Sequence, residues 1–209
     1  MPPENLFEES ADDTRTAIME ATYRALTEYG YAGLTIQRIA DKFDKSKSLL
    51  YHHYDGKDDL LVDFLEFVLD YAESNVPRSG DESAPKRLTA FIDSVFPPDP
   101  ETDDEFVGVF VQLRAQAVQD DDYECHFTES DRYFRQHIAG VIEDGIEEGT
   151  FREVDAEQSA AFLVSLVNAA LTERTTTDDP EALRAVRAEV DEYLETRLLA
   201  NDDAGNSER

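Results

Sequence analysis

Apolar residues return at three- and four-residue spacing almost from end to end of this sequence, and helix-capping signals separate the stripes they form. That spacing puts them on one face of an α-helix, whereas a half-buried strand needs strict alternation, and no convincing stretch of alternation occurs. Ser10-Ala11-Asp12-Asp13 reads as a capping pair for a first helix striped by Ile18, Ala21, Ala25, Leu26 and Tyr29, with Gly30 placed to end it. Thr35 caps a short second helix with Ile36, Ile39, Ala40 and Phe43 inward. Asp44-Lys45 make a turn, Ser46 caps a third helix that buries Leu50 and Tyr54, and Asp55-Gly56 breaks the pattern. A long fourth helix then starts at Asp58.

The composition shifts at Pro77 to Pro85, a Ser/Gly/Asp/Pro linker. A helix from about Ala84 to Phe96 leads to a Pro-rich break at Pro97-Pro98-Asp99-Pro100 and a capping box at Thr102-Asp103-Asp104-Glu105. The next helix carries Phe106 to Ala117, and another runs from about His126 to Glu148, ending at Gly149. Asp155-Ala156-Glu157-Gln158 is a capping box for a helix through Leu171, and Asp179-Pro180-Glu181 opens a last helix that reaches Leu198. The reading is all-α, about nine helices: a three-helix domain over 10–57, a larger helical domain over 58–200 with 58–76 as connecting helix, and a flexible tail over 201–209.

Charge is distributed unevenly over this frame. The formal net charge is -29, yet four of the five lysines (Lys42, Lys45, Lys47 and Lys57) fall in one short window that also holds Arg38. An acidic surface repels polyanions, so a cationic island within it is most simply a patch for phosphate. The window contains two short helices joined by a tight turn, the pattern of a helix-turn-helix. Thr35 and Ser46 supply hydroxyls at two helix N-termini, and Lys47 and Lys57 bracket the third helix with positive charge. Between them Ser48, Leu49, Tyr51 and His52 are short or planar side chains suited to base edges and thymine methyls.

Leu34-Thr35-Ile36-Gln37-Arg38-Ile39-Ala40, followed by Ser46-Lys47-Ser48-Leu49-Leu50-Tyr51-His52-His53-Tyr54-Asp55-Gly56-Lys57, resembles the N-terminal domain of TetR/AcrR-family transcriptional regulators, over about Arg15 to Leu61. The resemblance implies that Thr35, Gln37, Lys47, Ser48, Leu49, Tyr51, His52, His53 and Lys57 face DNA. The family usually has Ala-Gly-Val in the turn where this chain has Phe43-Asp44-Lys45, so Lys45 must snorkel or leave the core. Core packing for Tyr51 and plain surface exposure for His52 and His53 are the competing assignments. An adjacent His pair does not aim both rings from one helix face, so no metal site is expected there.

The stretch from Phe106 to Leu113, with Gly145-Ile146-Glu147-Glu148-Gly149-Thr150-Phe151 and the helix after Asp155, is similar to the C-terminal domain of the same family, nearest its BetI-like branch. The resemblance implies ligand sensing and dimerisation, with an unidentified small-molecule inducer. Phe64, Phe67, Tyr71, Phe91, Phe110, Phe134, His137, Phe162 and Asn168 are candidates to line an inducer pocket, with plain packing as the alternative for each. Leu163, Val167 and Leu171 on the penultimate helix, and Val186, Val190 and Leu194 on the last, are candidates for a homodimer interface. Two-fold pairing places two reading helices about one DNA turn apart, so the operator is expected to be palindromic. The expected function is a sequence-specific DNA-binding regulator, a repressor released by its ligand, with no catalytic residues and no cofactor.

A helical-bundle enzyme is the main alternative, and a non-DNA-binding interaction protein is another. A carboxylate-bridged di-metal enzyme needs Glu-x-x-His on two helices, but Leu49, Leu50, Tyr123 and Phe134 stand three residues before the four histidines. Apolar content of 41%, with 12 Phe and 9 Tyr, excludes a disordered acidic chain. The apolar runs fall short of the roughly 18 residues of a membrane span, and Cys125 stands alone, so a cytoplasmic protein without membrane association is expected. Acid residues spread along the whole chain resemble those of extreme halophiles, where a Debye length of about 3 Å near molar salt screens their repulsion. Thermal unfolding in molar KCl is therefore expected at a higher midpoint than in dilute buffer; equal stability in both contradicts this reading.

Overall fold

The computed structural model describes residues 6–7, 14–76, 82–96 and 105–200. Within them the chain is helical: α1 (Thr14–Gly33), α2 (Ile36–Lys42), α3 (Lys47–His53), α4 (Lys57–Ser74), α5 (Ala84–Val95), α6 (Glu105–Arg114), α7 (Asp121–Glu147), α8 (Ala156–Thr176) and α9 (Pro180–Tyr193). The capping pair at Ser10 to Asp13, the break at Pro97 to Pro100, most of the capping box at Thr102 to Glu105, the heart of the Pro77 to Pro85 linker and the tail 201–209 lie outside the described residues. No helix is long and apolar enough to cross a membrane among the described residues. The chain forms two compact units, Met1–Asn75 with Asp103–Ser130 and Val76–Thr102 with Asp131–Arg209. This grouping differs from a division at residue 57, because α4 and α6 share a core with the first three helices.

In the first unit the α1 stripe of Ile18, Ala21, Ala25 and Leu26 is buried against Ile39 and Phe43 of the α2 region, Leu50 of α3 and Leu60, Leu61 and Phe64 of α4. Gly30 bends α1 rather than ending it. Its φ of 63° and ψ of 169° belong to a region open essentially to glycine alone, and the helix resumes for one more turn to Gly33. The bend frees the Tyr31 backbone N–H, which donates to the Gln112 side-chain oxygen of α6 at 2.8 Å. Leu6 is buried in the same unit, and Phe7 stacks on Phe67 at 6.0 Å between ring centroids. Sequence periodicity gave no sign of this docked N-terminal pair.

In the second unit Leu88 and Ile92 of α5, Ile142 of α7 and Ala160, Leu163 and Val164 of α8 form the core. Helix α7 starts five residues ahead of the expected His126, because Asp120 accepts from the Asp122 N–H at 3.0 Å and so opens the helix. Asp155 caps α8 as expected, accepting from the Gln158 backbone N–H at 2.9 Å, but the Gln158 side-chain amide donates to the same carboxylate at 2.6 Å instead of completing the capping box at the Asp155 N–H. Asp179 caps α9 through the Ala182 N–H at 3.1 Å. Two expected helices finish in other geometry: Ala115–Val118 is a 3-10 turn, and Leu194–Leu198 is a π-helical turn.

That π-turn brings the chain end back to the close of α7, where Phe151 and Leu199 form an isolated antiparallel bridge. Arg152 N–H donates to Leu198 at 2.7 Å and Ala200 N–H to Thr150 at 2.9 Å. Gly145 makes the bridge possible: Thr150 and Phe151 N–H groups both donate to its carbonyl at 2.9 Å, and the Phe151 ring folds over its Cα. A Cβ there would stand 2.1 Å from that ring. Gly145→Ala is expected to cost about 1–3 kcal/mol of stability by overpacking. Denaturant unfolding measures it, and adding Phe151→Ala should remove most of the Gly145→Ala penalty relative to the Phe151→Ala chain.

Candidate nucleic-acid interface

The candidate surface is built from α2, α3 and the start of α4. Thr35 takes the N-cap of α2 with extended backbone, and its hydroxyl accepts from the Arg38 N–H at 3.2 Å. Ile39 and Leu50 are buried, so they clamp α2 and α3 to α1 and turn the opposite faces of both helices to solvent. Phe43 packs inward at 6% exposure while Asp44 and Lys45 are exposed, so Lys45 has left the core as the unusual turn required. Arg38 fixes the joint with α1 by donating to the Gly33 carbonyl and lying 4.3 Å from the Tyr29 ring centroid.

The structure brings most of the expected DNA-facing set onto one surface. Ser46, Lys47, Ser48, Tyr51, His52 and His53 are exposed, and Leu49 is half-buried. Tyr51 is 49% exposed, which excludes core packing as its role in this chain. Ser46 stands at the N-cap of α3 without capping it; its hydroxyl pairs with that of Ser48 at 2.7 Å instead. The Tyr51 hydroxyl donates to the Gln37 side-chain oxygen at 3.2 Å, which joins α3 to α2 across the surface. Lys57 opens α4 after Gly56, with its ammonium 4.5 Å from the Tyr31 ring centroid and 3.9 Å from Asp58. His52 and His53 meet edge to face at 5.9 Å, and among the described residues no three His, Cys, Asp or Glu side chains are placed to hold a metal ion.

The lysines of the window pair across elements rather than with their neighbours in sequence. Lys42 reaches back to Glu28 of α1, and Asp41 pairs with Lys47 across the turn. The reason is position: Lys42 and Asp41 are adjacent and leave α2 on different faces, whereas Asp41 looks toward the start of α3. Lys42 holds the Glu28 carboxyl below the usual carboxylate range, and Lys47 followed by Gln37 does the same for Asp41.

Behind the surface, Asp63 of α4 ties three helices. It accepts from Arg15 of α1 at 2.5 and 2.9 Å and from the Tyr54 hydroxyl at the end of α3. Burial, then the bond to Asp63, pushes the Tyr54 phenol well above its ordinary range, so it stays a donor at any working pH. A half-open cavity of about 330 Å³ lies there, lined by Thr14, Arg15, Ile18, His53, Tyr54 and Asp63. Sequence reading missed this tie because Arg15, Tyr54 and Asp63 come from three helices whose mutual packing no local pattern reveals.

The candidate inducer residues divide between the two units. In the first, Phe64 is fully buried, Phe67 and Tyr71 are half-buried, and Phe110 meets Phe127 edge to face at 5.3 Å. In the second, Phe91 packs on Phe134 at 6.3 Å, His137 stacks on Tyr133 at 6.4 Å, and the Asn168 amide donates to Asp131 at 3.2 Å. Phe162 is a correction: it is 49% exposed on α8 against Tyr193 of α9 at 5.0 Å, so it lines no interior pocket of this chain. Among the candidate dimer residues, Leu163, Val167 and Val190 are buried in the chain's own core, which leaves them little surface to offer a twin. Leu171, Val186 and Leu194 are half-buried at its margin.

Residues 18–64 match the family model for bacterial regulatory proteins of the tetR family, and residues 84–199 match that for the C-terminal domain of BetI-type transcriptional repressors. The chain is 27% identical over 174 residues to the HTH-type transcriptional repressor KstR2 of Rhodococcus jostii (strain RHA1), covering 73% of this chain and 78% of that protein. Its fold is similar to the crystal structure of a TetR transcription regulator from Haloarcula marismortui ATCC 43049, with 35% identity, a TM-score of 0.77, and coverage of 88% of this chain and 97% of the other. A regulator from Saccharomonospora viridis in complex with choline, 22% identical with a TM-score of 0.76 over 90% and 98% of the two chains, shares the fold.

Proposed function

The chain belongs to the TetR family of transcriptional regulators, with a BetI-type C-terminal half, and on that premise we propose that it is a dimeric repressor that grips a palindromic operator and lets go when a small molecule binds. The observation that carries the DNA-reading part is the joined, exposed surface of Gln37, Lys47, Ser48 and Tyr51 across α2 and α3. Such a surface can enter a major groove, with Lys47 and Lys57 for phosphate, and with Gln37, Ser48, Leu49, Tyr51, His52 and His53 for base edges and methyl groups. Thr35 and Ser46 add hydroxyls at the helix starts facing the backbone.

For the dimer we propose the outer side of α8 and α9, where Phe162, Leu171, Val186 and Leu194 keep apolar surface that the chain itself leaves uncovered. A two-fold pair sets the spacing of its two reading helices, which must match successive major grooves about 34 Å apart. A ligand that prefers a dimer of different spacing weakens DNA binding by the same factor by which DNA weakens ligand binding. Within the second unit, the half-buried Phe134, His137 and Asn168 remain proposed inducer contacts. The acidic surface suits molar salt.

Titration of the full-length protein with duplexes carrying palindromes from its own promoter tests this reading. Preference for one palindrome over random DNA is expected. Lys47→Glu should weaken binding to all sequences alike, and Tyr51→Ala should weaken the preferred one selectively, by roughly 5- to 150-fold for a base contact worth about 1–3 kcal/mol. A wild-type protein that shows no preference at any salt contradicts the proposal.

A further inference from the structure

Asp41 stands at the centre of the reading surface although no sequence signal for DNA contact falls on it. It follows Gln37 by four residues on α2, so the two side chains share a helix face. Its Oδ1 accepts from the Gln37 side-chain N–H at 2.9 Å and from the Lys47 ammonium. The Gln37 side-chain oxygen in turn accepts from the Tyr51 hydroxyl at 3.2 Å. Lys47, Asp41, Gln37 and Tyr51 thus form one hydrogen-bonded chain across two helices.

The chemistry of that chain restricts what Gln37 can present. An ionised carboxylate only accepts hydrogen bonds, so rotating the Gln37 amide by half a turn would set its oxygen against the Asp41 oxygen with no proton between them. One orientation survives. It leaves one N–H and one carbonyl lone pair for another partner, and it fixes the order in which donor and acceptor are presented. Adenine shows the complementary pair in the major groove, N7 accepting and N6 donating, whereas guanine shows two acceptors. The Lys47 ammonium and the Gln37 bond both hold Asp41 below the usual carboxylate range, so it stays ionised at neutral pH. An ionised carboxylate on this face also repels phosphate and occupies Lys47, which lowers attraction to DNA of any sequence.

We propose that Asp41 is a positioning residue for sequence discrimination: it fixes the Gln37 amide to favour adenine in each operator half-site, and it restrains Lys47 so that binding to random DNA is suppressed. The inference rests on the DNA-reading function proposed above. It concerns a residue outside the expected contact set, acting through two residues inside it.

The test is selection of binding sites from a random duplex library by full-length wild-type protein and by the Asp41→Ala and Asp41→Asn variants, followed by titration of the selected duplex and a random one. Asp41 is exposed, so both variants are expected to keep the wild-type thermal midpoint. Wild-type protein should enrich adenine at one symmetric position of the palindrome. Asp41→Ala should lose that adenine, bind random DNA several-fold tighter, and reduce the selected-to-random ratio about 10-fold. In Asp41→Asn the side chain can donate as well as accept, so the Gln37 amide is free to turn, and this variant too should lose the adenine while binding random DNA more tightly. Loss of the adenine in both variants at an unchanged thermal midpoint is a change that a merely structural role would not produce. An Asp41→Ala protein that keeps the adenine and the ratio overturns the assignment while leaving the DNA-reading function standing. A wild-type protein that enriches nothing overturns both.

Discussion

A protein with a formal net charge of -29 has to approach a phosphate backbone of the same sign, and that repulsion constrains every side chain on its reading surface. Concentrating lysine in one window is only part of the solution. Lys42 is engaged with Glu28, Lys47 with Asp41, and Lys57 with the Tyr31 ring and Asp58. The window therefore presents a nearly neutral face rather than a strongly basic one. We propose that its contribution is to keep the acidic body from repelling DNA, with affinity coming mainly from shape and from hydrogen bonds made by Gln37, Ser48 and Tyr51. Molar salt, for which we propose the acidic surface is suited, would reinforce that balance by screening what attraction the lysines retain.

Contacts of this kind depend on position, since a hydrogen bond weakens steeply with misalignment. The first unit supplies the necessary rigidity in two ways. Ile39 and Leu50 anchor the two short helices in a core shared with α1, α4 and α6. Asp63 then joins α1, the end of α3 and α4 through Arg15 and Tyr54, which fixes helices too short to be stable on their own. At the far end of α1 the Gly30 bend is held by Gln112, so α1 is gripped near both ends.

Elements marked by local chemistry were legible in the sequence, and those made by tertiary contact were not. The caps at Thr35, Asp155 and Asp179 announce their helices because a side-chain oxygen three residues before a free N–H is a local arrangement. Asp120 opens α7 through the N–H two residues on, a spacing that the three-residue pattern does not mark. Gly30 could be read as a helix end from its type, but its role as a bend depends on Gln112, 82 positions away. The π-turn after Tyr193 exists because the chain end pairs beside Phe151, and no periodicity encodes that bridge. The reading surface shows the same limit: side-chain types located it, whereas the pairing of Lys47 with Asp41 joins two helices and follows from their packing, which no local pattern encodes. Phe162 lies exposed on a largely apolar helix, whose sequence alone gives no clue to which face remains bare.

The salt dependence of operator affinity tests the central claim most directly. Each phosphate neutralised by a free cation adds about -0.9 to the slope of log affinity against log salt. With Lys42, Lys47 and Lys57 already engaged, the full-length protein should show a slope equivalent to only one or two such contacts when titrated with its selected palindrome in rising KCl. A slope as steep as that of several phosphate contacts would contradict the account and make the lysine window a conventional electrostatic grip.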